Sequence, residues 1–182
     1  MMNHTSQPRK VLGTEEIKLV NAKRIEELQK NHTECTGEPI VHFDGEYAFL
    51  SNFFDSPLFL NGYSFQNGEA AFQGFKDMNR TGEFATIKPG KAKQLGRQVK
   101  LRPDWEVVKT AIMEDVVRAK FTQNEELQEK LLATEDRLLI EGNWWKDKIW
   151  GVSNGRGENR LGIILMNVRK ELKETDPIAL YV

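Results

Sequence analysis

Residues 63–78 read Tyr-Ser-Phe-Gln-Asn-Gly-Glu-Ala-Ala-Phe-Gln-Gly-Phe-Lys-Asp-Met, and this stretch predicts a strand end followed by a helix. At 3.6 residues per turn, Glu69, Gln73 and Lys76 fall on adjoining parts of one helical face, together with Phe72. The pattern therefore predicts that an acid and an amine share a face with aromatic carbon.

This face has two interpretations. Burial beside Phe72 would raise the pKa of Glu69 and lower the pKa of Lys76, which is how a protein makes a general acid or a nucleophilic amine near neutral pH. Alternatively, Glu69 lies in the first turn because the helix dipole favours a carboxylate there, and Lys76 is solvated. Taken alone, the stretch favours the second interpretation, because perturbed acids are the minority among acids at helix starts.

The segment before the helix predicts a hairpin within an aromatic-rich region. Asn61-Gly62 satisfies the positive backbone angles of a tight turn between residues 57–60 and 63–65. Six aromatic residues lie between positions 43 and 59, a density typical of a core. Asn52 lies among them, and a polar side chain buried there needs a hydrogen-bond partner.

The segment after it predicts two helices with different faces. A short helix from Pro89, ended by Gly96, carries Lys91, Lys93 and Arg97; these cations suit phosphate binding or an ordinary charged surface, and the sequence alone favours the surface. A longer helix from Pro103 to about Phe121 has an apolar stripe that begins at Trp105. Trp105 is then either a core anchor or a ring that lines a cleft.

The last third of the chain combines a predicted strand, an aromatic loop and a terminal helix. Asn124 is expected to cap a helix, and residues 137–141 are predicted to form a buried strand. Trp144, Trp145 and Trp150 surround Asp147 in a loop that suits either a nucleobase site or a small structural core.

A glycine-rich loop follows the tryptophans. Asn154 lies in it, and Asn159 is expected to cap the last helix. Free amides at a helix N-terminus make an anion site, although the Gly-Arg-Gly run does not fit a known nucleotide-binding fingerprint.

Length and composition predict one main domain. At 182 residues with 39% hydrophobic content, the chain can bury one substantial core. We predict an α+β fold, mainly helical, with a small sheet that includes a strand at residues 40–43. Residues 1–39 are predicted to be an extension with an accessory helix at 14–30 and a loose, polar segment before it, and residues 40–182 to be the compact domain.

Charge, cysteine and histidine content narrow the function classes. The net charge of −1 does not indicate a nucleic-acid or membrane partner, although a local basic patch would suffice for the former. One cysteine, Cys35, excludes a disulfide framework, and three scattered histidines give no metal motif. With neither a signal peptide nor an apolar run of membrane-spanning length, the chain is expected to be soluble and cytoplasmic. The sequence indicates no oligomeric state.

With these segments in order, residues 43–172 resemble the NADAR family, also called YbiA-like. The motifs that carry the resemblance are Leu50-Ser51-Asn52-Phe53, Glu69-Ala-Ala-Phe72-Gln73-Gly-Phe75-Lys76, Gly96-Arg97, Arg102-Pro-Asp104-Trp105, Lys120-Phe121-Thr-Gln123-Asn124, Asp147-Lys-Ile-Trp150-Gly151 and Asn159-Arg-Leu161-Gly162-Ile-Ile-Leu165-Met166-Asn-Val168-Arg169. The chain departs from the family at Ala70, where His is frequent, and at Asn67-Gly68, where Thr or Val is frequent. These departures would reshape the edge of the pocket.

The resemblance implies an N-glycosidase. One branch of the family is associated with cleaving ribosylated intermediates early in riboflavin synthesis, and another with removing ADP-ribose from guanine bases. Both substrates join ribose C1 to an exocyclic amine of a guanine-like ring, and the substrate is therefore expected to be a nucleotide-like small molecule or an ADP-ribosylated guanine in nucleic acid. This chemistry demands no metal or redox cofactor.

The resemblance also implies roles for individual residues. Glu69 would transfer protons, Lys76 would attack a ring-opened ribose or act only through its charge, and Asp147 would orient the ribose hydroxyls or stabilise positive charge. The implied substrate contacts are Asn52, Phe72, Gln73, Arg97, Trp105, Trp150, Asn154 and Asn159. The alternatives, in order, are a non-catalytic sensor of ADP-ribose or nucleotides and a plain interaction module whose aromatic residues are all core.

Overall fold

The computed structural model describes residues 14–175. Helices dominate it, and the sheet has two strands, which confirms the predicted α+β, mainly helical fold. The helices are α1 Thr14–Asn31, α2 Gly68–Gly74, α3 Pro89–Leu95, α4 Trp105–Thr122, α5 Glu125–Leu132 and α6 Arg160–Thr175, the strands are β1 Asp55–Leu60 and β2 Tyr63–Asn67, and two short 3-10 helices span Gly45–Leu50 and Thr81–Phe84. The expectation of a loose segment at residues 1–13 lies outside the described residues.

The hairpin forms as predicted and leads directly into α2. β1 and β2 are antiparallel, and the turn between them has positive φ at Asn61 (50°) and Gly62 (87°). The last residue of β2, Asn67, caps α2, because its Oδ1 accepts a hydrogen bond of 2.8 Å from the backbone N–H of Ala70. Local sequence signals alone therefore fix where α2 begins.

The end of α2 differs from the prediction, because the helix stops at Gly74 and Lys76 lies beyond it. Glycine is a weak helix former, and the buried ring of Phe75 packs against Phe65 at 5.6 Å instead of following the helix. The N–H of Lys76 still bonds Gln73 O at 3.2 Å. Lys76 thus leaves the helix but stays beside its last turn.

The core lies where α2 and the hairpin meet α4, and where α4 meets α6. α4 contributes Trp105, Val116 and Phe121 to it, and α6 contributes Leu165 and Val168. The predicted apolar stripe of the long helix is therefore its buried face, and α2 is enclosed with every residue buried.

Neither predicted strand at residues 40–43 and 137–141 is formed. Ile40 and Leu139 make one isolated parallel bridge, with the N–H of Ile40 on Leu138 O at 2.9 Å. Pro39 has no N–H to continue the pairing, and at the other end Gly142 turns its N–H to Val41 O and Ile140 O. The apolar residues are buried as expected, but the ladder does not extend.

Asn124 precedes α5 without capping it through its side chain. Its Nδ2 donates instead to Pro57 O at 3.0 Å and Lys120 O at 2.7 Å. The predicted cap is wrong because the amide is used to join the hairpin to the end of α4.

The accessory helix is present as α1 and contacts the rest of the chain. Leu28 is buried at 3% exposure, and Arg24 Nη2 donates to Gly157 O at 2.6 Å. The division of the chain at residue 39 stays a prediction. None of the helices within residues 14–175 is both long and apolar enough to span a membrane.

Candidate active site

Glu69 lies buried in the first turn of α2. Its N–H donates to Asn52 O at 2.9 Å, and its Oε1 accepts a hydrogen bond of 2.9 Å from Gln73 Nε2. Burial raises the pKa of the Glu69 carboxyl, the Gln73 bond and the charges of Lys93 and Lys76 oppose that rise, and the charge of Asp147 adds to it. Of the two interpretations of this acid, the structure has the buried one.

Lys76 is half-buried next to this acid. Its Nζ lies 5.6 Å from the centre of the Trp105 ring and donates to Gly96 O at 3.4 Å. Burial lowers the pKa of Lys76, the Glu69 charge opposes this, and the positive charges of Arg97 and Lys93 lower it further. A lowered pKa makes the uncharged, nucleophilic form of the amine more available near neutral pH.

Three aromatic rings enclose the α2 side of this region. Phe72 contacts Trp105 and Trp150, with ring centres 5.2 Å apart in both pairs. Trp105 is buried and Trp150 is partly exposed. Trp105 is therefore both an anchor of α4 and the ring over which the Lys76 amine lies.

Asp147 is held in place by its own loop. Its Oδ1 accepts hydrogen bonds from the N–H groups of Ile149 at 3.0 Å and Trp150 at 2.9 Å. The buried Asn143 clamps the same loop, since its amide binds both the N–H and the carbonyl of Asp147. Because the charge of Asp147 acts on Glu69, the structure brings Glu69, Lys76 and Asp147 into one electrostatic cluster.

Sequence reasoning missed a second acid in this cluster, which is partly buried. Glu141 follows the buried residues 138–140, and its Oε2 is fully enclosed without a hydrogen-bond partner. Burial, Asp147 and Glu69 together raise the pKa of Glu141 to about 8, and Lys93 opposes the rise. The sequence offered one signal for this acid, which is its position directly after the apolar run of residues 138–140.

Lys93 was assigned to the surface, but it reaches the cluster from α3. Its Nζ lies 5.5 Å from the centre of the Phe53 ring and 5.9 Å from that of Trp145. Both rings are nearly half exposed. Its charge acts on Glu69, Lys76 and Glu141, which makes it a cation shared by the whole site.

Asn52 is buried against the start of α2. Its Nδ2 donates to Met113 Sδ at 3.0 Å, and its Oδ1 is enclosed without a partner. A Cβ on Gly68 would lie 2.8 Å from that oxygen, so the absence of a side chain at position 68 leaves room for the Asn52 amide. The departure from the family pattern at Gly68 is therefore explained by packing against Asn52.

Unpaired polar atoms concentrate in this region. Among the buried side-chain atoms that lack a hydrogen-bond partner in residues 14–175, Asn52 Oδ1, Gln73 Oε1 and Glu141 Oε2 belong to residues of the cluster or to its direct contacts. A buried polar atom without a partner is costly, and such atoms are typical of sites that bind a ligand.

The remaining predicted contacts are placed differently. The side chain of Arg97 is exposed, although its charge acts on Lys76. Asn154 is exposed at a turn with φ of 50°. Asn159 is fully buried, with its Oδ1 on the N–H of Glu141 and its Nδ2 on Leu139 O, so its amide neither caps α6 nor points to a ligand. It supports the main chain at Glu141.

A cavity of about 280 Å³ lies elsewhere, between the residues that follow α1 and α6, and is lined by residues that include Cys35 and Met166. Several of its polar groups are already engaged, since Lys173 pairs with Asp136 and Arg169 binds Thr134. Within the described residues, no three His, Cys, Asp or Glu side chains are arranged to hold a metal ion. The unpaired atoms and perturbed acids place the candidate active site at Glu69 instead.

Residues 41–173 match the model of the NADAR domain. The chain belongs to the NADAR family. Its relatives include N-glycosidase YbiA of Shigella flexneri, 35% identical over 84% of this chain and 96% of that protein, and a riboflavin biosynthesis protein of Vibrio vulnificus, 34% identical over 77% of this chain and 40% of that protein. The NMR structure of YbiA from E. coli is similar with a TM-score of 0.68 and 34% identity, over 78% of this chain and 89% of that one.

The comparisons confirm the NADAR resemblance and the helical fold with its small sheet. The relatives named N-glycosidase support an enzyme of the glycosidase class, as the sequence predicted.

Proposed function

We propose that this NADAR protein hydrolyses the bond between ribose C1 and an exocyclic amine of a guanine-like base. The observation that carries the proposal is the buried Glu69 carboxyl, which shares its surroundings with a half-buried amine, Lys76, and with Asp147 beside an aromatic wall. Relatives named N-glycosidase and riboflavin biosynthesis protein support this class of bond. The substrates proposed are ADP-ribosylated guanine and ribosylaminopyrimidine phosphates.

The reaction needs a proton for the leaving amine while positive charge builds on ribose C1 and the ring oxygen. Glu69 is the proposed proton-transfer group, because it is a buried carboxyl beside an amine and burial raises its pKa above the ordinary value. Asp147 is proposed to bind the ribose hydroxyls or to stabilise the developing cation, since its carboxylate is fixed by two main-chain N–H groups.

The aromatic and cationic groups suit the rest of such a substrate. Trp105 and Trp150 offer flat apolar faces for a base, and Asn52 and Gln73 supply amide side chains whose enclosed oxygens lack a partner within the protein, which suits a ring that bears amines. Lys93 and Arg97 supply positive charge for a phosphate. Phe72 lies between Trp105 and Trp150 and packs against both rings.

Two routes are open for Lys76. In the first, its uncharged amine attacks C1 of a ring-opened ribose, the base amine leaves, and water hydrolyses the resulting imine. In the second, Lys76 acts only through its charge, and water attacks C1 directly. The lowered pKa of Lys76 supports the first route.

Glu69→Gln tests the proposal, because it nearly preserves size and removes the titrating proton. We expect kcat/KM for ADP-ribosylated guanine or for the ribosylaminopyrimidine, assayed side by side by product analysis, to fall by at least about 100-fold. Glu126→Gln is the matched control, since this exposed carboxyl only pairs with Lys130 on α5. Unchanged turnover in Glu69→Gln ends the assignment of Glu69, and tight ADP-ribose binding with intact conjugate in the unmodified protein points to a sensor instead.

Lys76 is tested by trapping. Borohydride added during turnover is expected to leave a stable ribosyl adduct on Lys76, seen by mass spectrometry of the peptide that contains it. Lys130→Ala, which removes an exposed amine, should leave the adduct in place, and Lys76→Ala should abolish it. Full activity in Lys76→Ala without an adduct would establish direct attack by water.

A further inference from the structure

Glu141 is a partly buried acid, with one carboxyl oxygen enclosed, that the proposed reaction does not use. Its main chain is fixed on both sides, because its N–H donates to Asn159 Oδ1 at 3.0 Å and its carbonyl accepts from the N–H of Val152 at 2.8 Å. These two bonds fix the backbone of Glu141 and therefore the direction of its Cα–Cβ bond. A Cβ on Gly151 would lie only 2.2 Å from Glu141 O, so the neighbouring loop is packed tightly against this residue.

The carboxyl of Glu141 lacks the partners that a buried ionised acid requires. Oε2 is enclosed and makes no hydrogen bond. The charged groups that act on it are Asp147 and Glu69, which repel a negative charge, and Lys93, which attracts one. On the adjoining segment, His42 Nδ1 lies 3.3 Å from Gly142 O. Burial, together with two carboxyls against one amine, raises the pKa of Glu141 to about 8, so the acid is mostly protonated at neutral pH.

Glu69 has the opposite surroundings within the same cluster. Gln73 donates a hydrogen bond to its Oε1, and both Lys76 and Lys93 favour its ionised form. The negative charge of Glu69 disfavours a second negative charge on Glu141, so the two acids do not ionise independently. The hydrogen bond and the amines favour the proton on Glu141 and the charge on Glu69.

We propose that Glu141 is a second catalytic acid, which protonates the leaving amine while Glu69 takes the proton of the attacking nucleophile. The step rests on the proposed N-ribosyl hydrolysis. The C1–N bond breaks, its electron pair passes to nitrogen, and the Glu141 proton transfers to that nitrogen. Water or the Lys76 amine forms the new bond to C1, and the proton that it loses passes to Glu69. The two acids thus divide the proton transfers that a single carboxyl would have to make in turn.

Glu141→Gln tests this division through the leaving group. The variant should lower kcat/KM on the exocyclic-amine substrate by at least about 100-fold. With a nicotinamide riboside probe, whose leaving group departs neutral without a proton, Glu141→Gln should stay within about threefold of the unmodified protein, whereas Glu69→Gln should lose activity on both. Glu126→Gln, exposed on α5, is the control for removing a carboxylate. Full activity of Glu141→Gln on the amine substrate, or equal loss on both probes, overturns the proposal.

The pH profile of the unmodified protein is an independent measurement that needs no folded variant. Activity on the amine substrate is expected to fall as pH rises through about 8, where Glu141 loses its proton. A profile that stays flat well above that pH overturns the proposal. If the unmodified protein cleaves no ribosyl substrate, the proposed function itself fails; if it cleaves them and Glu141→Gln is unimpaired, only the role of Glu141 fails.

Discussion

At the scale of single residues, Lys120 explains how Asn52 is held. This lysine on α4 is fully buried, and its Nζ donates to Phe49 O at 2.6 Å and Ser51 O at 2.8 Å. The amine also lies 5.1 Å from the centre of the Phe121 ring. Burial lowers the pKa of Lys120 to about 7. One side chain therefore fixes two carbonyls of the main chain just before Asn52.

Lys120→Met is expected to lower the free energy of unfolding by about 3 kcal/mol, because it leaves two buried carbonyls without a donor. The loss should depend on pH. Between a folded pKa of about 7 and the ordinary value of 10.5, the unfolded chain binds more protons, so the unmodified protein gains stability over Lys120→Met as pH rises through this interval. Below pH 7 the difference should level off.

Urea unfolding at pH 7 and pH 9.5 measures both effects. Lys130→Met is the matched control, because this lysine is exposed and pairs only with Glu126. A Lys120→Met protein as stable as the control at both pH values would contradict the structural role of the buried amine.

At the scale of secondary-structure elements, the contact between α2 and α3 sets the position of Gln73. Gly96, which ends α3, has an ordinary helical φ of −63°, so its backbone does not require glycine. The requirement is spatial: a Cβ there would lie 1.9 Å from Gln73 Oε1. The glycine predicted from sequence as a helix terminator thus serves to bring α3 against the glutamine that bonds Glu69.

Gly96→Ala is expected to displace Gln73 and so remove its hydrogen bond to Glu69. We expect kcat/KM to fall by roughly 10- to 100-fold, because displacing a group in contact with the acid misplaces it. Stability should fall by about 1 to 3 kcal/mol through overpacking. Gly90→Ala is the control in the same helix, where an added Cβ meets nothing within 4 Å.

Steady-state kinetics and thermal unfolding of the two glycine variants separate the effects. If Gly96→Ala and Gly90→Ala behave alike, the close approach of α3 to Gln73 does not matter for the site.

At the scale of the whole molecule, the second half of α1 packs against the rest of the protein. Leu28 is buried with the core residues, and Arg24 reaches the glycine-rich loop at Gly157. That loop lies between the tryptophan loop and α6 in sequence. The accessory helix therefore supports the loop that leads into α6.

Leu28→Ala is expected to lower the free energy of unfolding by about 3 kcal/mol, because it leaves a cavity at a nearly inaccessible position. Val107→Ala is the control, since this side chain on α4 is 84% exposed. Chemical denaturation measures both variants. Equal stability of the two would mean that α1 is a dispensable extension.

The sequence by itself determined the features that depend on neighbouring residues. The Asn61-Gly62 turn and the start of α2 at Asn67 followed from backbone preferences that act over three or four positions. The short spacing between Glu69 and Lys76 also kept the two groups together, even though the helix ends at Gly74 before Lys76 is reached.

Only the tertiary structure decided which distant groups join them. Lys93 enters the cluster because α3 packs against α2, and Glu141 enters it through the charges of Glu69 and Asp147, and no local pattern encodes either approach. For the same reason the amides of Asn124 and Asn159 bind distant carbonyls instead of capping helices. Burial and charge coupling depend on what surrounds a side chain in space, and sequence spacing describes only its neighbours along the chain.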